Sequence, residues 1–268
     1  MKKPILFSCV LLVLLSISCN TEKKKNSEAS DNPNKVEVAI AEKKISKADS
    51  LINDAIEAHG GHRYENASYG FTFRDNYYTF ENGKDGYTYT LSNITKGDTL
   101  KYILENGKLT HNANGTETEL SSKDIIKYTE NVNSVVYFAT LPHKLNDRAV
   151  NKVYEGATTI KNRKYEVVGI TFDQKGGGVD FDDEFMYWIN NDTNTIDYLA
   201  YNYETNDGGV RFRTAYNPQS VGGIRFQDYV NYKAEIGTPL EDLPALYEKN
   251  ELQELSRIEI ENIKVLKD

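Results

Sequence analysis

The 268-residue chain has two cysteines, one tryptophan, two methionines, six prolines and four histidines. Both cysteines, Cys9 and Cys19, lie near the N-terminus, so everything after residue 19 is without a thiol. Disulfide staples, cysteine metal ligation and thiol catalysis are excluded there, and the fold must rest on a hydrophobic core. Basic charge is short as well: 32 Lys and Arg face 40 Asp and Glu, a formal net charge of −8. Nucleic-acid binding needs clustered cations to neutralise phosphates, so nucleic acid is not an expected partner. There is no G-x-S-x-G elbow for a hydrolase triad and no repeat of solenoid or propeller period. No cofactor is expected.

What is present starts at the N-terminus. Lys2 and Lys3 precede an apolar run from Pro4 to Ile17, the pattern of an export signal covering residues 1–18. A membrane-spanning helix needs ~20 apolar residues, and this run stops short at Ser18-Cys19-Asn20. The stretch Leu15-Ser16-Ile17-Ser18-Cys19 resembles a lipobox. That resemblance implies cleavage after Ser18 and lipid attachment, palmitate included, at Cys19. Ser16 departs from it, since the pattern prefers Leu three residues before the cysteine. The alternative, that Cys19 is a small residue beside an ordinary cleavage site, stays open. On the lipobox reading the protein is held to a membrane of the bacterial cell envelope, the outer membrane being the expected one.

Residues 19–45 are polar and without period, rich in Lys, Glu, Asn and Ser, and read as a disordered tether. Residues 46–268 are expected to form a single domain. Leu51, Ile52, Ala55 and Ile56 predict one face of a helix from Lys47 to Ala58, closed by Gly60-Gly61. From Ala67 the period becomes two, with Tyr69, Phe71 and Phe73 in one run and Tyr87, Tyr89 and Leu91 in another. Asn82-Gly83, Asp85-Gly86, Lys96-Gly97, Asn106-Gly107 and Asn114-Gly115 punctuate these runs as hairpin turns do. A helix is predicted from about Ser121 to Phe138, then six strands between Val150 and Lys233. The tail reads as a helical piece near Leu240 to Lys249 and a last strand at Ser256 to Leu266. Without crossover helices between strands, a parallel α/β fold is excluded. The expected fold is mainly β (α+β): a strongly bent antiparallel sheet or half-open β-barrel, with one or two helices on its concave face.

Several residues could carry chemistry. Asp180, Asp182 and Asp183, after Gly176-Gly177-Gly178, are candidate ligands for a hard cation, but they lack EF-hand spacing and read more simply as a solvated turn. His59 and His62 flank a helix end, where a histidine meeting the last carbonyls is the simpler role than a metal site. Arg211 and Arg213 share one strand face, with Arg225 on the next predicted strand, and could clamp an anionic head group.

Four stretches resemble a family of uncharacterised exported bacterial lipoproteins: Val132 to Phe138 with Leu141-Pro142 and Leu145-Asn146-Asp147; Gly176-Gly177-Gly178 with Asp180; Phe185 to Ile189; and Asp197 to Tyr201. The resemblance runs from about His59 to Lys233. The hairpin from Glu184 to Tyr203 also resembles the lipoprotein-carrier (LolA-like) superfamily, a half-open β-barrel with a helical lid. That likeness implies an apolar cavity that holds acyl chains, and it is one of fold.

Three functions are consistent with this reading. The first is a non-catalytic binder or carrier of a lipid or other hydrophobic ligand, lined by Phe71, Phe73, Tyr87, Tyr89, Arg211 and Arg213. The second is an envelope enzyme working through carboxylates such as Asp180 and Asp183, which the missing thiol, triad and metal motifs weigh against. The third is an interaction module with a filled core.

Overall fold

The computed structural model describes residues 45–175, 182–205 and 207–267. The signal, Cys19, the tether up to residue 44, and the stretch from Gly176 to Phe181, Asp180 included, lie outside the described residues.

Helix α1 spans Lys47–His59. Ser46 Oγ caps it, accepting from the Asp49 N–H at 3.0 Å, and Ala48, Leu51, Ile52 and Ala55 form its buried stripe. Six strands follow: β1 (Ser68–Phe73), β2 (Asn76–Gly83), β3 (Gly86–Thr95), β4 (Asp98–Glu105), β5 (Lys108–Ala113) and β6 (Thr116–Glu117). Helix α2 occupies Ser122–Ala139, capped by Ser121. A second run comprises β7 (Val150–Ile160), β8 (Arg163–Phe172), β9 (Glu184–Asn190), β10 (Ile196–Tyr203), β11 (Gly209–Val221) and β12 (Ile224–Ala234). After helix α3 (Leu243–Glu248) come β13 (Gln253–Ile258) and β14 (Glu261–Val265).

The mainly β, antiparallel architecture with helices packed on it is the expected class. Its strands divide into two seven-stranded sheets, ordered β14-β1-β2-β3-β4-β5-β6 and β13-β12-β11-β10-β9-β8-β7. The last strand expected at Ser256 to Leu266 is two strands, one in each sheet. The cause is a local anchor: the Ile260 N–H donates to the buried Asp228 carboxylate at 2.8 Å, and the chain passes between sheets there.

The Asn-Gly turns do more than reverse the chain. Asn106 has φ of 47°, and its Oδ1 accepts from the Tyr87 N–H at 2.9 Å while its own N–H donates to the Tyr87 carbonyl. Asn114 repeats this against Thr99. Each asparagine thus adds a rung to its neighbouring strand. A Cβ at Gly86 would lie 1.9 Å from Asn106 Oδ1, which is why glycine stands there.

The main core lies where α1 and α2 pack among the inner faces of both sheets. Register places its large apolar residues in cross-strand rows: Tyr69, Phe80 and Tyr89 in one, Phe71, Tyr78, Leu91 and Tyr102 in the next. A second, smaller core of Tyr165, Trp188, Tyr198 and Phe212 covers the opposite face of the second sheet, beneath Leu240 and Leu243.

Candidate functional site: an arginine-edged aromatic floor

The six sequence-predicted lining residues do not converge on one spot. Phe71 and Tyr89 are buried in the main core, and Phe71 stacks on Tyr78 at 5.7 Å. Tyr87 is half-buried, stacks on Tyr89 at 4.4 Å, and has the Lys144 ammonium 5.4 Å from its ring. By strand register it lies three side-chain rows from Phe73, ~20 Å along the sheet. Phe73 is the member that reaches the arginines. Its ring meets Phe138 of α2 at 5.1 Å, and the Arg213 guanidinium lies 6.0 Å from that Phe138 ring.

Around Phe138 the second sheet presents a half-buried aromatic surface. Phe185 meets Phe172 edge-on at 5.7 Å and stacks on Tyr201 at 5.3 Å, and Tyr201 neighbours Tyr203 at 6.0 Å. Period two explains the arrangement: Phe185, Tyr201 and Arg211 are register partners on three adjacent strands, as are Tyr187, Leu199 and Arg213. Arg213 Nη2 donates to Tyr201 Oη at 2.8 Å, and Arg211 Nη2 donates to Tyr203 Oη. Each guanidinium also lies 5.0 Å from the ring it bonds.

Among the described residues neither arginine forms an ion pair, and the next strand adds Asn231 and Lys233 opposite them rather than an acid. Three buried polar atoms have no partner with hydrogen-bond geometry: Arg213 Nε, Asn231 Oδ1 and Tyr137 Oη, the last facing the Tyr187 hydroxyl. Leaving such atoms unpaired costs about 1–3 kcal/mol each; Arg213 Nε–H is a donor and Asn231 Oδ1 an acceptor. Burial holds the phenols of Tyr187 and Tyr137 well above the usual range, and pushes Tyr229 up to about 12. All three therefore stay neutral donors.

Phe138, Phe185, Tyr201 and Tyr203 escape a residue-by-residue reading of the sequence. Their signal is the shared parity of Phe185-Tyr187, Tyr201-Tyr203 and Arg211-Arg213, visible once the hairpin register is fixed. Arg225 is not part of this group: its Nε donates to Gln227 Oε1 at 3.0 Å and it lines a separate cavity.

The other candidates resolve differently. His59 does not serve the end of its own helix. Its buried Nε2 accepts from the Ile196 N–H of β10 at 3.2 Å, because α1 packs on the second sheet and Ile196 would otherwise be an unpaired donor. Asp180 is outside the described residues, Asp182 is exposed and Asp183 is buried at the start of β9. Among the described residues no three His, Cys, Asp or Glu side chains group as metal ligands, and no helix is long and apolar enough to cross a membrane.

The fold and floor define a mainly β protein of two antiparallel sheets, with an aromatic, cation-edged inner surface. Within that class the chain belongs to the Family of unknown function (DUF6503), whose profile matches residues 2–261. The match extends beyond the His59 to Lys233 stretch that carries the sequence resemblance. No curated protein matches. Among solved structures the chain is similar to a LolA superfamily protein from Nitrosomonas europaea, at 10% identity over 82% of this chain and 94% of that one, TM-score 0.41. A DUF1329 family protein from Desulfovibrio piger gives 8% identity, 82% and 93% coverage and a TM-score of 0.39. The lipoprotein LppX of Mycobacterium tuberculosis gives 7% identity, 58% and 87% coverage and a TM-score of 0.27.

Proposed function

We propose that the protein is a lipid-anchored envelope protein that binds an amphipathic, anionic lipid without transforming it. The observation that carries this reading is the pair Arg211 and Arg213, in no ion pair among the described residues, at the edge of a half-buried aromatic surface. An acyl chain laid on Phe138, Phe172, Phe185 and Tyr201 gains ~0.8 kcal/mol for each methylene removed from water. Its acid group meets guanidinium forks, whose geometry suits carboxylate and phosphate. Phe71, Phe80, Tyr187 and Tyr229 fill the space beneath the helices. The ligand is therefore placed on the floor at the C-terminal half of α2 rather than in an enclosed barrel. Anchoring through Cys19 keeps this surface at the membrane from which such a ligand comes.

Native mass spectrometry of the protein purified from cells, followed by titration with fatty acids of increasing length, tests the reading. Affinity should rise with chain length, and a fatty alcohol should bind more weakly than the acid of equal length. A protein that carries no lipid and shows no length dependence refutes it, and leaves an interaction module with a filled core.

A further inference from the structure

A cavity of about 660 Å³ opens on the opposite face of the second sheet beside α3. Four cations line it, Lys161, Arg163, Arg225 and Arg257, against one carboxylate, Asp197. That carboxylate is already engaged. Its Oδ2 accepts from Asn190 Nδ2 at 2.7 Å and from Tyr165 Oη at 3.1 Å, and its Oδ1 accepts from Thr195 Oγ1 at 2.8 Å. Asp197 thus secures the start of β10 and has little left for the cations across the cavity.

The cations differ in what holds them. Arg257 pairs with exposed Glu254 at 3.1 Å. Lys161 Nζ donates to Tyr247 Oη at 2.7 Å and sits 4.1 Å from that ring. Arg225 is half-buried and spends only its Nε, on Gln227, leaving both terminal nitrogens free of any carboxylate among the described residues. The Arg163 side chain has no ion pair among them at all. In a chain of net charge −8 this grouping is not a sample of the general surface, and a cleft lined by one sign of charge focuses its field inward.

The rest of the wall is phenol. Tyr247 lies 6.0 Å from Tyr198 and 5.4 Å from Tyr232, ring centre to ring centre. Burial raises the pKa of Tyr198 and of Tyr232, so both remain protonated donors. Flat rings provide a surface for an organic body.

We propose that this cleft binds a phosphate ester, with Arg163 and Arg225 taking the phosphate oxygens and the Tyr198, Tyr232 and Tyr247 wall supporting the group that bears it. The bearer is a small soluble molecule or a lipid head group; the recognition chemistry is the same for both. The site is separate from the aromatic floor and stands or falls without it.

The test uses the purified full-length protein and two probes: glycerol phosphate, followed by isothermal titration, and phosphatidylcholine vesicles with and without phosphatidylglycerol, followed by co-sedimentation. The lipid anchor contributes equally to both vesicles, so only the increment due to phosphatidylglycerol is read. Saturable binding of either probe, weakened about tenfold in Arg163→Gln/Arg225→Gln and by added salt, supports the proposal. Glycerol phosphate binding assigns a soluble ligand, and a vesicle increment alone assigns a head group. Fatty-acid binding should be unchanged in the same variant. If circular dichroism shows that the double variant is unfolded, Arg163→Gln, an exposed position, provides the readout. Absence of binding to both probes, or binding that the folded variant does not weaken, overturns the proposal.

Discussion

Arg213 and Tyr201, on adjacent strands, are joined twice: Nη2 donates to the phenol oxygen at 2.8 Å, and the guanidinium lies 5.0 Å from the centre of the same ring. A tyrosine holding an arginine this way fixes the direction of the charge without cancelling it. A carboxylate in that place would do both. Replacing the arginines should therefore separate the two parts of ligand recognition. In Arg211→Gln/Arg213→Gln, affinity for a long-chain fatty acid is expected to fall about 10- to 100-fold, the worth of one or two hydrogen bonds to a charged group. Affinity for the matching alcohol should hold. Equal losses for acid and alcohol would show that the arginines support the floor rather than read the head group.

The histidine between α1 and β10 makes stability depend on pH. Burial, with a smaller contribution from nearby Arg225, pushes His59 down to about 3, against an ordinary 6.5. Because the folded value is the lower one, the unfolded chain takes up the proton first. The contribution is complete above about 6.5 and is lost as pH falls toward 3, at ~1.4 kcal/mol for each pH unit. Burial also lowers His143, which stacks on Tyr64 at 4.5 Å, and this acts in the same direction. Asp49 and Glu166 are also held low, by bonds from Ser46 and Tyr154, but lose their contributions only below the ordinary carboxylate range. Urea midpoints should decline from about pH 6.5 to 5. His59→Gln, whose Oε1 can accept from Ile196, should flatten much of that decline; an unchanged slope would place the effect elsewhere.

Core and floor should differ in what they cost. Phe80 is fully buried against Tyr69 at 5.5 Å and Phe226 at 6.4 Å, and Phe80→Ala is expected to cost about 3–5 kcal/mol. Phe138 is only half-buried, and Phe138→Ala should cost roughly half as much while weakening lipid binding. Comparable urea midpoints for the two variants would make Phe138 a core residue and remove it from the ligand surface.

Cys19→Ala addresses the anchor. The variant is expected to lose labelled-palmitate incorporation and to move from the detergent phase to the aqueous phase. Retention of both properties would exclude the lipoprotein reading.

Much of the fold was legible because the local signals were short-ranged. Ser121 marks a helix start, the Asn-Gly pairs mark hairpins, and the shared face of Arg211 and Arg213 marks a strand; each is decided within a few residues. The passage of the tail from one sheet to the other was not legible, because it turns on Asp228 receiving the Ile260 N–H, a contact 32 residues apart. The site was half legible for the same reason. Arg211 and Arg213 announce a shared face, but Phe138 reaches them from α2 through packing that no spacing encodes. The parity of the sheet-one aromatics was visible, whereas which of them lay deep in the core was not.

The pairing of β14 with β1 sets a constraint on timing. Tyr69 and Val265 are partners, so β1 waits for a strand far along the chain. β14 is synthesised after the hairpins from β1 to β6. Until then β1 has an open edge, with unpaired backbone groups that any extended strand could take. Contacts of such long sequence separation slow folding. The interval before β14 arrives is when this protein is most open to a chaperone, or to a wrong partner.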